Sequence, residues 1–163
     1  MSGKGVIQNA LGVPGAKMPS LFSRTTDNTY ENSYKLEDKY VPDAVLLFIG
    51  ANDYSNIKNP SMGNFVDGYV AMLQKITKDY MIFTDQHPKL INICDIEFNR
   101  ELCYNVRTAV KSFSYAYKLV YYLEIPEGTQ GKQETGCIGH PNVKGQRKMA
   151  EAVYPGVKLI LMS

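Results

Sequence analysis

The chain has 163 residues, 44% apolar and 21% charged, which is the size and make-up of one ordinary domain with a single core. A formal charge of +2 is spread over mixed stretches such as KLEDKY and NRELCYNVRTAVK, so no one-sided basic field exists and nucleic acid is not expected as a partner. No run of eighteen apolar residues occurs, and MSGKGVIQNALG lacks a signal-cleavage pattern, so neither a membrane span nor a signal peptide is expected.

From Pro14 to Val41 the sequence is irregular and polar, with a short apolar patch at Met18, Leu21 and Phe22, and reads as a long connection with one helical turn. AVLLFIG (Ala44 to Gly50) is a continuous apolar run closed by glycine, which predicts a strand buried on both faces. Phe65, Val66, Tyr69, Val70, Leu73, Ile76 and Tyr80 then recur at helical spacing, with Ser61 as N-cap.

LINICDI (Leu90 to Ile96) repeats the strand signal. Asn99 follows as the cap of a helix carrying Leu102, Val106, Ala109, Val110 and Phe113 on one face. A third strand is predicted at Lys118 to Ile125. After the loop GTQGKQETGCIGHPN, Asn142 caps a last helix through Val143, Met149, Ala150 and Val153, which Pro155 bends or restarts.

Strands alternating with helices predict right-handed βαβ crossovers and a three-layer α/β/α domain, whose ligands sit beyond the C-terminal ends of the strands. Only three strands are readable where about five are usual in such a sheet. The three cysteines, Cys94, Cys103 and Cys137, are an odd number and a poor disulfide framework, so at least one free thiol is expected, and Cys94 and Cys103 read as small buried apolar groups.

Two loops carry chemistry. In Gly50-Ala51-Asn52-Asp53 a short amide at the end of a buried strand can stabilise negative charge developing on an oxygen. His140, in a glycine-rich loop before a helix, can serve near neutral pH as a general base, whereas His87, beside Pro88, reads as an ordinary loop residue.

These loops belong to an ordered pattern. SGKG (Ser2 to Gly5), VPDAVLLFIGANDYSN and GCIGHPNVKGQRKMAEAV resemble, in order, the second, third and fifth blocks of the SGNH/GDSL-type hydrolases, closest to carbohydrate esterase family two. The resemblance covers nearly the whole chain. It implies an α/β three-layer sandwich with a mostly parallel, flavodoxin-like sheet, and residues 1–163 as the C-terminal portion of one such domain, missing its first strand and nucleophile loop. It assigns His140 as the base and Asn52 and Gly3 as the oxyanion-hole donors.

Departures from the family pattern bear on activity. The family's nucleophilic serine stands in a Gly-Asp-Ser context a few dozen residues before the SGKG block, and neither Gly-Asp-Ser nor a G-x-S-x-G elbow occurs here. Ser2 matches the residue before the oxyanion glycine and is no nucleophile by this resemblance. Where many members carry an aspartate three residues before the base, this chain has Cys137, as in members that work with a Ser-His dyad and a backbone carbonyl orienting the ring. Gly139 stands where an aromatic residue often walls the pocket.

The resemblance therefore implies a serine esterase removing acetyl groups from carbohydrates, acting on a small-molecule or polysaccharide acyl ester, with this chain alone expected to be inactive. The alternative is an inactive truncated or pseudoenzyme domain that binds glycans or acyl ligands. No cofactor is expected. A zinc site at Cys137 and His140 lacks a second pair of ligands, and GTQGKQ lacks the spacing of a phosphate loop. Related enzymes are often secreted, but the sequence assigns no compartment.

Overall fold

The computed structural model describes residues 42–54, 60–81 and 87–163. The expectations for Pro14 to Val41 and for Gly3 lie outside the described residues.

Three strands, β1 (Ala44–Leu47), β2 (Lys89–Asp95) and β3 (Val120–Ile125), form a parallel sheet in the order β1-β2-β3. Val45 pairs with Leu90 and Leu90 with Val120, so the three strands end on the same edge. Helix α1 (Met62–Met81) connects β1 to β2, α2 (Arg100–Phe113) connects β2 to β3, and α3 (Val143–Met162) follows β3.

Each crossover steps one strand further in the same direction, so right-handedness puts α1 and α2 on one face. Their shared core contains Tyr69, Met72, Leu73, Ile76, Leu102, Val106 and Ala109 over Val45, Leu47, Leu90 and Val120. The opposite residues of the strands, Ile91, Ile93 and Ile125, pack with Met149 and Ile160 of α3. The three-layer α/β arrangement expected from the sequence is thus present.

The caps act as their sequence positions predict. Ser61 Oγ accepts from Asn64 N at 3.3 Å, Asn99 Oδ1 from Leu102 N at 2.9 Å and Asn142 Oδ1 from Gly145 N at 3.0 Å. Pro155 does not end α3, which runs on to Met162. Next to it Gly156 lies so close to β3 that a Cβ there would meet Leu123 Cδ2 at 2.7 Å.

One polar pair spans the first core. Tyr69 OH donates to Asn92 Oδ1 at 3.0 Å, and Asn92 Nδ2 donates to Tyr121 O at 3.0 Å. Burial pushes the Tyr69 phenol well above its ordinary range, which keeps it a donor at any physiological pH.

Two expectations are corrected. The residues of AVLLFIG are not buried on both faces: Val45 and Leu47 face the helices, but Leu46 is 51% and Phe48 47% exposed on the side where α3 covers β2 and β3. Burial of a parallel strand depends on what is laid over it, and α3 does not reach that far. Cys94 and Cys103 are also not free, for they form a disulfide from the end of β2 to the first turn of α2, with Cα atoms 5.4 Å apart. The sequence shows only their separation of nine, whereas the strand-to-helix turn is what folds them together.

Opening this bond releases a short loop from its constraint. The Cys94→Ala/Cys103→Ala variant is expected to lose about 2–3 kcal/mol of stability. Urea unfolding of the variant against the oxidised chain measures the difference.

Candidate active site at the C-terminal sheet edge

The first loop leaves the sheet after β1. Gly50 takes φ +108, a left-handed conformation, and a Cβ there would meet Leu102 Cδ1 at 2.9 Å and Phe65 Cζ at 3.1 Å. Glycine is therefore required both by the backbone and by the two helices pressing on the turn. The chain then makes one 3-10 turn, Ala51–Asp53, closed by Asp53 N to Gly50 O and Tyr54 N to Ala51 O, both 3.1 Å.

Tyr54 anchors this turn in the core. It is buried, lies edge-on to Phe65, and its hydroxyl accepts from Asn105 Nδ2 of α2 at 2.5 Å. Burial raises the Asp53 carboxyl above its ordinary value, while its own backbone amide pulls the other way. Asn52 sits in the middle of the turn, just past the end of β1.

His140 lies on the connection from β3 to α3. Lys89, the first residue of β2, donates from Nζ to Ile160 O at 2.6 Å, which places the last turn of α3 at the N-terminal end of the sheet. Helix α3 therefore runs back along the sheet, and its N-terminus, with His140 three residues before Val143, lies toward the C-terminal edge. The Ala51–Asp53 turn leaves that same edge. The fold thus gives Asn52 and His140 one edge, while Gly3 lies outside the described residues.

A small hairpin presents His140. Its N–H donates to Cys137 O at 3.0 Å and its carbonyl accepts from Gly136 N at 2.6 Å, while Thr135 pairs with Pro141 as an antiparallel bridge. Asn142 N closes the base of the hairpin on Glu134 O at 2.8 Å, and Asn142 Nδ2 donates to Gln133 O at 2.8 Å. The imidazole itself is exposed and has no hydrogen-bond partner among the described residues. Cys137 is an exposed free thiol, as the odd cysteine count requires.

The residue that sequence reasoning missed is Glu134. Its side chain is buried, and Oε1 receives Lys144 Nζ at 2.8 Å and Lys148 Nζ at 3.0 Å, while Oε2 accepts from Gly131 N at 3.1 Å. Gly145 packs directly against the Glu134 carbonyl, leaving no space for a side chain. The spacing of Lys144 and Lys148 on one helix face was visible, but nothing in the sequence showed which carboxylate they share.

A three-layer α/β domain with a turn-borne amide and a loop-borne histidine on its C-terminal edge is the framework of the SGNH-type hydrolases. The family model of GDSL-like lipases and acylhydrolases matches residues 4–153, and the chain belongs to that family. No curated protein matches it in sequence.

Among solved structures it is similar to an active-site mutant of a family two carbohydrate esterase from Clostridium thermocellum in complex with cellohexaose. That match has a TM-score of 0.71 and 21% identity over 93% of this chain and 45% of that one. It is also similar to a carbohydrate esterase whose active site is described as displaying divergent catalytic and non-catalytic binding functions. Here the TM-score is 0.69 and the identity 17%, over 87% of this chain and 46% of that one. The chain spans about half the length of the solved chains it matches.

Two expectations follow from this geometry. Gly50→Ala combines left-handed strain with a clash against Leu102 and Phe65, so a loss of about 2–4 kcal/mol is expected in urea unfolding. The second concerns acid. The hydrogen bonds from Lys144 and then Lys148 hold the Glu134 carboxyl at about 2, below its ordinary 4.5. A depressed carboxylate stabilises the fold above its unfolded value and ceases to do so as pH falls through the folded one. The hairpin is therefore expected to lose this support between about pH 4.5 and pH 2. The NMR shift of the Gly131 amide should titrate near the lower value, and Glu134→Gln should abolish that step.

Proposed function

We propose that this chain carries the base and oxyanion-binding portion of a serine esterase that removes acetyl or other acyl groups from carbohydrates, and that residues 1–163 form one such domain, the C-terminal portion. Its support is the common sheet edge from which the Asn52 turn and the solvent-facing His140 hairpin project, in a chain of the GDSL family. The carbohydrate substrate comes from the two similar esterases.

In this reading a serine hydroxyl attacks the ester carbonyl and His140 takes its proton. The Asn52 amide and the Gly3 N–H receive the negative charge that forms on the carbonyl oxygen. His140 then returns the proton to the departing sugar alcohol, and a water, activated by the same imidazole, frees the acid. Residue 137 is Cys and supplies no carboxylate, so in this reading a backbone carbonyl or small polar group outside the described residues orients the imidazole from Nδ1. No cofactor enters these steps.

The serine is not among these residues in the context the family uses, because no Gly-Asp-Ser occurs in the chain. A second reading is a domain that binds glycans or acyl ligands without cleaving them. One of the similar esterases is described as having non-catalytic binding functions.

Release of acetate from 4-nitrophenyl acetate and from an acetylated polysaccharide separates the two readings. The 163-residue chain is expected to stay at background, and a version extended upstream by a strand bearing Gly-Asp-Ser to turn over. In the extended version His140→Ala is expected to lower kcat by about a hundred- to ten-thousandfold, and Asn52→Ala by about a hundred- to a thousandfold. Equal activity with and without the extension would place the nucleophile within these residues. Activity that survives His140→Ala would remove the base.

A further inference from the structure

Residues 126–142, which carry His140, form a connection without a long helix or strand of their own, and such a connection points a side chain reproducibly only if it is tied down. Glu134 ties its far end to α3. Its near end is tied elsewhere, to the turn between β2 and α2.

That turn begins with Asp95, the last residue of the central strand, 6% exposed. A buried carboxylate is costly unless its oxygens are bonded. Asp95 Oδ1 accepts from Glu97 N at 3.0 Å, the local bond such a turn ordinarily makes. Oδ2 is spent differently: it accepts from Gln130 Nε2 at 2.6 Å, thirty-five residues along the chain. Neither partner is charged, and burial is the main cause that raises this carboxyl above its ordinary value.

Glu97 adds to the same contact. Its Oε2 faces the amides of Gly128 at 3.3 Å and Gln130 at 3.4 Å, in a bend where Gly128 takes φ +81. The turn is itself held from below, because Cys94 next to Asp95 is bonded to Cys103 and Asn99 caps α2. Gln130 is followed directly by Gly131, whose amide donates to Glu134. A continuous series of bonds therefore runs from the central strand through Asp95, Gln130, Gly131 and Glu134 to the hairpin of His140.

We propose that Asp95 and Glu97 are positioning residues for His140, mooring the connection that carries it through Gln130 and Gly128. This rests on the reading of His140 as the base, and the mooring can be tested without turnover.

The chemistry of the Asp95–Gln130 pair allows a swap. Gln130→Glu sets two carboxyl groups against each other and loses the donor. Asp95→Asn keeps the pair, because the Gln130 amide can turn and accept from the new amide. The double variant Asp95→Asn/Gln130→Glu restores one donor and one acceptor. In Gln130→Glu, hydrogen exchange at the Gly136, His140 and Asn142 amides is expected to speed up by about tenfold, the usual effect of losing a charge-assisted hydrogen bond on local opening. Exchange at Ile93 in β2 is expected to stay slow, and the double variant to return all three amides to the parent rates.

In the version extended by Gly-Asp-Ser, kcat is expected to fall and recover in the same order, with KM unchanged. Unchanged exchange in Gln130→Glu, or no recovery in the double variant, overturns the mooring. Altered and recovered exchange with constant kcat, in an enzyme that His140→Ala inactivates, overturns the positioning role and leaves the base in place. Activity that survives His140→Ala overturns the reading of the site itself.

Discussion

Parallel pairing is the constraint from which the rest of this structure follows. Strands that run the same way cannot be joined by a hairpin, so the chain must leave each one at the same edge and cross back over a face of the sheet. Crossing both times over the same face, through α1 and then α2, it covers that face with two helices and leaves the other to α3. Every loop that departs from a strand departs from one edge. Gly50, Asp95 and Ile125 stand at its three exits, and each candidate residue described here hangs from one of them.

The two loops solve the same problem differently. The turn after β1 is held by packing: Gly50 is pressed between Leu102 and Phe65, and Tyr54 is sunk into the core. The hairpin of His140 has little apolar material and is held by polar bonds, with Glu134 as their centre. A base that exchanges protons with substrate and water needs an exposed ring, which leaves nothing apolar to bury it against. Fixing the backbone on both sides of the ring while leaving the ring open reconciles those demands. It also explains why a buried glutamate, costly when alone, is tolerated between two lysines.

Much of the fold could be read from the chain, because its signals are local. The three helices follow from apolar spacing, and Ser61, Asn99 and Asn142 each cap where an Asn or Ser precedes that spacing. Strand β2 was readable because both its faces are covered. For β1 the same apolar run gave the wrong burial, since Leu46 and Phe48 depend on what lies over a neighbouring part of the sheet. The Cys94–Cys103 bond, the Glu134 frame and the Asp95–Gln130 pair were not readable. Each joins residues that only the tertiary path brings together, and residue type alone does not say which of several acids a given lysine or amide will meet.

Helix α3 is long, about 30 Å for twenty residues, and an unbroken rod of that length would act as a lever between its two ends. Pro155 interrupts it. Without an N–H at that position the helix lacks the backbone bond to the carbonyl one turn earlier, about two-thirds of the way along. Gly156, which packs closely against Leu123, follows Pro155 directly. The two ends of the helix are therefore held by different groups, Ile160 by Lys89 at one and Glu134 by Lys144 and Lys148 at the other, with the interrupted ladder between them.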